Sequence, residues 1–100
     1  METLEFNSCF TQVILDKCKS STIRRHTDLK KGDLFTTKHI PNKIFKVTNV
    51  NRIRIDEIDN DIAFKEGYRH EELLLKELTA IYPSVRPASL VYQIEFEMLE

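Results

Sequence analysis

One hundred residues and 11.8 kDa, with 41% hydrophobic and 31% charged side chains and only two glycines, suit a single folded domain over 1–100 and exclude a disordered, collagen-like or linker sequence. The formal net charge of -1 conceals a segregation: residues 1–16 hold three acids and no Lys or Arg, residues 17–54 balance at +9, and residues 55–100 at -7. No apolar run approaches the roughly 20 residues that cross a bilayer, and the amino end lacks the basic start and apolar stretch of a secretory signal, so a cytoplasmic protein without a membrane partner is expected.

Phe6, Phe10, Val13, Ile14 and Cys18 fall near helical spacing, which predicts an amphipathic helix over 8–18 capped by Ser8. Cys9 and Cys18 match no zinc or redox spacing and read as reduced, small structural hydrophobes. Residues 20–25 read as a strand, with Thr22 and Arg24 on one face and Ser21, Ile23 and Arg25 on the other. Lys31-Gly32-Asp33 signals a turn into a short strand over 34–38, and Ile40-Pro41-Asn42 a second turn. Residues 44–55 alternate as one long or bent strand, β-branched and basic. Asp59 can cap a short helix over 60–66 that Gly67 ends in a left-handed conformation. A second helix over 70–81 would bury Leu74, Leu78 and Ile81 and stop at Tyr82-Pro83, and residues 90–96 form a closing strand. Strands and helices do not alternate as βαβ units, so the fold class is α+β, built on a small, mostly antiparallel curved sheet or barrel.

Several chemistries drop out. His26, His39 and His70 have no Asp, Glu or Cys at ligand spacing, so no metal site is expected; the isolated Gly32 and Gly67 exclude a phosphate-cradling loop, and there is no nucleophile elbow. The densest polar cluster runs from Lys17 to Arg25 at a helix-to-strand junction. Thr22 and Arg24 on one strand face, with Lys19 just before it, can converge on one pocket. A threonine hydroxyl becomes a nucleophile when a base takes its proton, and a lysine serves as that base if neighbouring cations or burial depress its pKa. The acid must come from the acidic half of the chain, and Glu66, at a helix C-terminus where the dipole disfavours a carboxylate, is the candidate. The same residues also fit a plain exposed basic strand and a solvated helix-end glutamate.

At these residues the sequence resembles the ASCH domain family, a PUA-like group of small β-barrels, over nearly its whole length. The family pattern Gly-x-Lys-x-x-Glu-x-Arg reads here Lys17-Cys18-Lys19-Ser20-Ser21-Thr22-Ile23-Arg24. It is followed by Gly32-Asp33, Ala63-Phe64-Lys65-Glu66-Gly67-Tyr68, Glu71-Glu72-Leu73, Ile81-Tyr82-Pro83 and Val91-Tyr92-Gln93-Ile94-Glu95-Phe96. Lys17 replaces the glycine, Ser21 stands where an aliphatic residue is usual, and Thr22 stands where many members carry glutamate. The Lys-x-x-Thr-x-Arg version resembles the subgroup that hydrolyses N4-acetylcytidine to cytidine and acetate. That resemblance implies Lys19 as proton acceptor, Thr22 as nucleophile and Glu66 as proton donor, with no cofactor and a small nucleoside as substrate. Arg24 or backbone amides would serve the oxyanion, and Tyr68 would stack on the base.

Two other readings share the fold. An RNA-binding module would use the basic segment 17–54, with Arg24, Arg25, Lys43 and Lys46 on one face and no special need of Thr22 or Glu66. An RNA-cleaving enzyme would use Lys19 and Glu66 as acid and base and tolerate Thr22→Ala.

Overall fold

Fifteen residues from Ile40 to Arg54 form the longest strand of the computed structural model, which describes residues 1–99. Their β-branched residues alternate with polar ones, the pattern of a pleated, half-buried surface. In chain order the elements are β1 (Glu2–Leu4), a 3-10 turn (Ser8–Phe10), α1 (Thr11–Leu15), β2 (Ser21–Arg24), β3 (Leu34–Thr37) and β4 (Ile40–Arg54). A 3-10 turn (Ile55–Glu57), α2 (Asn60–Lys65), α3 (Glu71–Ile81) and β5 (Leu90–Leu99) follow. The strands form one curled sheet in the order β1-β3-β4-β5-β2. Every pairing is antiparallel except the parallel β1–β3 contact, so the α+β architecture expected from the sequence holds.

A bulge bends β4. Val47 pairs with Phe96 and Asn49 with Glu95, leaving Thr48 as the extra residue. One inserted residue reverses strand parity, so Phe45 and Val47 before the bulge and Val50 after it all meet the same core. That core also holds Leu4, Ile14, Phe35, Ile94 and Phe96, with the Phe35 and Phe45 rings stacked at 5.3 Å and Phe96 edge-on to both. The opposite face of β5 carries Val91, which meets Ile23, Ile58, Ala63, Leu74 and Leu78 in a second cluster beneath α2 and α3.

Several expectations are corrected. The helix expected over 8–18 is a 3-10 turn followed by five α-helical residues, and its cap is Asn7, whose side chain accepts from the Cys9 amide, not Ser8. β1 is not expected from the sequence, because three residues paired in parallel to a distant strand leave almost no local pattern. The turn expected at Ile40-Pro41-Asn42 lies two residues earlier, at Lys38 and His39, and Ile40 already pairs with Thr37. Ile81 is 56% exposed, and both cysteines are exposed and unbridged rather than buried. Among the described residues no helix is long and apolar enough to cross a membrane.

Candidate active site

Two helix ends deliver the functional side chains, and both use the same backbone device. At the end of α2, Tyr68 N–H bonds to Ala63 O at 2.9 Å and Gly67 N–H to Phe64 O at 3.0 Å, a Schellman motif with Gly67 at φ +92°. At the end of α1, Cys18 N–H bonds to Val13 O at 2.9 Å and Lys17 N–H to Ile14 O at 3.0 Å. There Lys17 holds the left-handed position, at φ 63°, that glycine holds in α2. Ser20 N–H then bonds to Lys65 O at 2.7 Å, tying the strand entrance to the end of α2. The two helix ends thus bring Lys19 and Glu66 together from 47 residues apart.

Lys19 and Glu66 are 4% and 2% exposed, unusual for charged residue types. Lys19 Nζ donates to the Glu66 backbone carbonyl at 3.0 Å, lies 3.6 Å from Glu66 Oε1, and sits over the Phe10 ring at 4.7 Å from its centroid. Burial pushes the lysine below its ordinary value, with the Glu66 charge opposing and Arg24 adding to the depression. Burial likewise pushes the Glu66 carboxyl up, against the Lys19 charge and hydrogen bonds from Ser21 and the Ile23 backbone. Burial thus favours the neutral form of each group, while their mutual attraction opposes it.

β2 is an edge strand, and its free side explains how Glu66 is reached. The Ile23 amide, pointing away from β5, serves the Glu66 carboxylate, and Ser21 Oγ donates to Glu66 Oε2. Thr22, on the other face, is buried, and its Oγ1 accepts from Arg24 Nε at 3.0 Å. Arg24 Nη2 in turn donates to the Glu5 carbonyl at 2.6 Å, and its guanidinium lies over Phe6 at 5.2 Å.

All five sequence candidates, Lys19, Thr22, Arg24, Glu66 and Tyr68, line one cavity of about 290 Å³. Leu74, Leu78 and Ile81 of α3, with Phe6 and Phe10, supply its apolar lining. Tyr68 stands edge-on to Phe10 at 6.4 Å, and burial with the nearby Glu77 charge raises its phenol to about 12, so it stays protonated. Phe6, Phe10, Glu5 and Glu77 were missed as cavity residues. Phe6 and Phe10 carried a helical periodicity that read as core, and nothing local signals that Glu5 or Glu77 reaches this space.

The proposed RNA track does not assemble as expected. Lys43 and Lys46 lie three residues apart in β4 before its bulge, so they take opposite faces, and Arg25 falls just past the end of β2. Among the described residues no group of three His, Cys, Asp or Glu could hold a metal ion.

Solved structures share this architecture. An ASCH domain from Lactobacillus crispatus JV V101 superposes with a TM-score of 0.83 at 14% identity, covering 97% of this chain and 78% of that one. A protein from Enterococcus faecalis V583 gives 0.78 at 16% identity, covering 99% and 76%, and one from Pyrococcus furiosus gives 0.66 at 18%, covering 99% and 97%. At these identities the likeness is one of fold. No family model matches the chain, and no curated protein matches it significantly.

Proposed function

We propose that this chain, which has the fold of an ASCH domain, is an amidohydrolase that removes the acetyl group from N4-acetylcytidine or a closely related N4-acylated cytosine. The observation that carries the reading is the buried Lys19–Glu66 pair at the wall of a cavity that also contains Thr22 and Arg24. A cavity of about 290 Å³ lies at the small end of the range for ligand pockets, suiting one nucleoside or base.

Thr22 Oγ has two lone pairs, and the Arg24 hydrogen bond engages one of them. The other attacks the acetyl carbonyl while the hydroxyl proton passes to neutral Lys19. Arg24, anchored on the Glu5 carbonyl, is the cation beside the carbonyl oxygen as it gains charge. The C–N bond breaks as Glu66 gives its proton to the departing cytosine nitrogen, leaving an acetyl-threonine ester. Lys19 is now an ammonium and Glu66 a carboxylate, an ion pair that the 3.6 Å separation and the Phe10 face favour. Return of the proton from Lys19 to Glu66 resets both groups. Water then attacks the ester, giving one proton to Lys19, which passes it to Thr22 as acetic acid departs and ionises to acetate in solvent.

The test is incubation with N4-acetylcytidine and chromatographic resolution of the nucleosides. Wild type releases cytidine, and Thr22→Ala, retaining its circular dichroism, loses at least about a thousandfold in rate. Turnover by Thr22→Ala at the wild-type rate would overturn the nucleophile assignment.

One observation favours a second reading, RNA recognition. Register places Arg24 opposite Tyr92 and Tyr92 opposite Arg52, a row of cation, aromatic and cation across β2, β5 and β4 that begins at the cavity wall. Such a row suits a phosphate track with a stacked base, and it differs from the lysine-bearing face expected from the sequence.

A further inference from the structure

Behind Glu66 lies a polar chain that the acyl-transfer steps do not use. Ser21 is fully buried and Gln93 is 4% exposed, in a stretch of sheet where apolar side chains would fill the space at no hydrogen-bonding cost. Asn51 Nδ2 donates to Gln93 Oε1 at 3.4 Å, Gln93 Nε2 donates to Ser21 Oγ at 3.4 Å, and Ser21 Oγ donates to Glu66 Oε2. Every bond runs the same way. Asn51 occupies the amide oxygen of Gln93 and so turns its NH2 toward Ser21. A serine hydroxyl has a single proton, and with Gln93 donating into its oxygen that proton is directed at the carboxyl.

The two oxygens of Glu66 are therefore unlike. Oε2 receives the end of a donor chain, whereas Oε1 faces the Lys19 amine at 3.6 Å. From this geometry we infer that Ser21, oriented by Gln93, is a positioning residue for Glu66: it keeps Oε2 an acceptor, so that Oε1 carries the proton and donates it. The inference rests on the reading of Glu66 as the acid. It gives a role to the serine that stands where the resemblance in sequence calls for an aliphatic residue, and to the glutamine diagonal to it on β5. The charged or titratable groups around Glu66 are Lys19 on the strand side, 3.6 Å from Oε1, and Tyr68 just beyond α2.

The experiment is a carbon-detected NMR titration of the Glu66 carboxyl in wild type, Ser21→Ala and Ser21→Cys, with kcat and KM on N4-acetylcytidine measured in parallel. A hydrogen bond to the ionised carboxylate lowers its pKa, so removing it raises the Glu66 midpoint, by about one pH unit in Ser21→Ala. Ser21→Cys keeps the volume with a weaker donor, shifts the midpoint the same way by less, and carries the test if the alanine variant does not fold. The expected kinetic signature is a roughly tenfold lower kcat with unchanged KM. A serine that only fills space would leave the midpoint in place, and an unchanged midpoint in a folded variant overturns the inference. If the midpoint moves while wild type releases no cytidine, the positioning of Glu66 stands and the amidohydrolase reading falls. If wild type turns over and neither midpoint nor kcat responds, the reverse holds.

Discussion

A lysine and a glutamate buried together can exist as an ion pair or as two neutral groups, and here desolvation is the largest influence on both, depressing one and raising the other. The two titrate as a unit, and in the proposed mechanism the productive form is the one with a single shared proton. Activity should therefore rise with pH as the first proton leaves the pair and fall as the second leaves. Glu66→Gln removes one ionisation, so its residual activity, lower by about a hundredfold or more, should show a single rising limb; a profile keeping both limbs would exclude Glu66 from the pair. The converse substitution gives a sign that requires no turnover. The Lys19 charge holds Glu66 down against burial, so Lys19→Met should raise the Glu66 midpoint further in an NMR titration. The linkage to stability follows. Glu66 titrates higher in the folded chain than in the unfolded one, so its contribution is fully present below the ordinary carboxylate value and is lost as pH rises through the folded midpoint. Lys19 is the mirror case: its contribution is present above the ordinary lysine value and is lost as pH falls through the depressed one.

The two helix ends that build the site use one backbone geometry with different residues, and this separates strain from contact. Lys17 at φ 63° bears a steric cost that glycine would not, about 1–2 kcal/mol for an L-residue in this conformation. Part of that gain is offset by the greater freedom of glycine in the unfolded chain. Lys17→Gly also gives up the Lys17 side chain's own interaction, so the net gain is smaller than the strain relieved and Tm should rise by no more than a few degrees. Gly67→Ala should do the opposite. It forces a side chain into φ +92°, and its Cβ would meet the Lys19 Cβ at 3.4 Å. A loss of stability of about 1 kcal/mol or more is expected from strain alone, together with a lower kcat, because relaxing the strained turn would shift Glu66 against Lys19. A Gly67→Ala protein as stable and active as wild type would contradict this account of how Lys19 and Glu66 are held.

Across the whole molecule the charge segregation does not become one basic face. Strand parity sends Lys43 and Lys46 to opposite sides, and Lys65 pairs with Glu95 at 2.6 Å. The row from Arg24 through Tyr92 to Arg52 is the basic strip that adjoins the cavity, whose lining also includes Glu5 and Glu77. An uncharged nucleoside entering such a cavity releases few counterions, so kcat/KM on N4-acetylcytidine should change less than about twofold between 50 and 200 mM salt. Binding of an oligonucleotide along the strip should weaken steeply over the same interval. Measuring both with one preparation weighs the two readings, and a steep loss of nucleoside turnover with salt would count against the small-molecule site.

Local chemistry carried much of this molecule. Within the expected 20–25, residues 21–24 form the strand, and Asp59 and Gly67 bound α2, because caps, turns and alternation are set by neighbours in the chain. Lys19, Thr22, Arg24, Glu66 and Tyr68, candidates from spacing and from resemblance, line one cavity. The rest depends on partners distant in sequence. β1 exists only because β3 lies alongside it, the Thr48 bulge only because β5 registers against β4, and Ile81 lines a cavity with Phe6 and Phe10 from the other end of the chain. The pKa shifts of Lys19 and Glu66 belong to the same class: each follows from burial beside a group 47 residues away, a property of the folded chain that no local window contains.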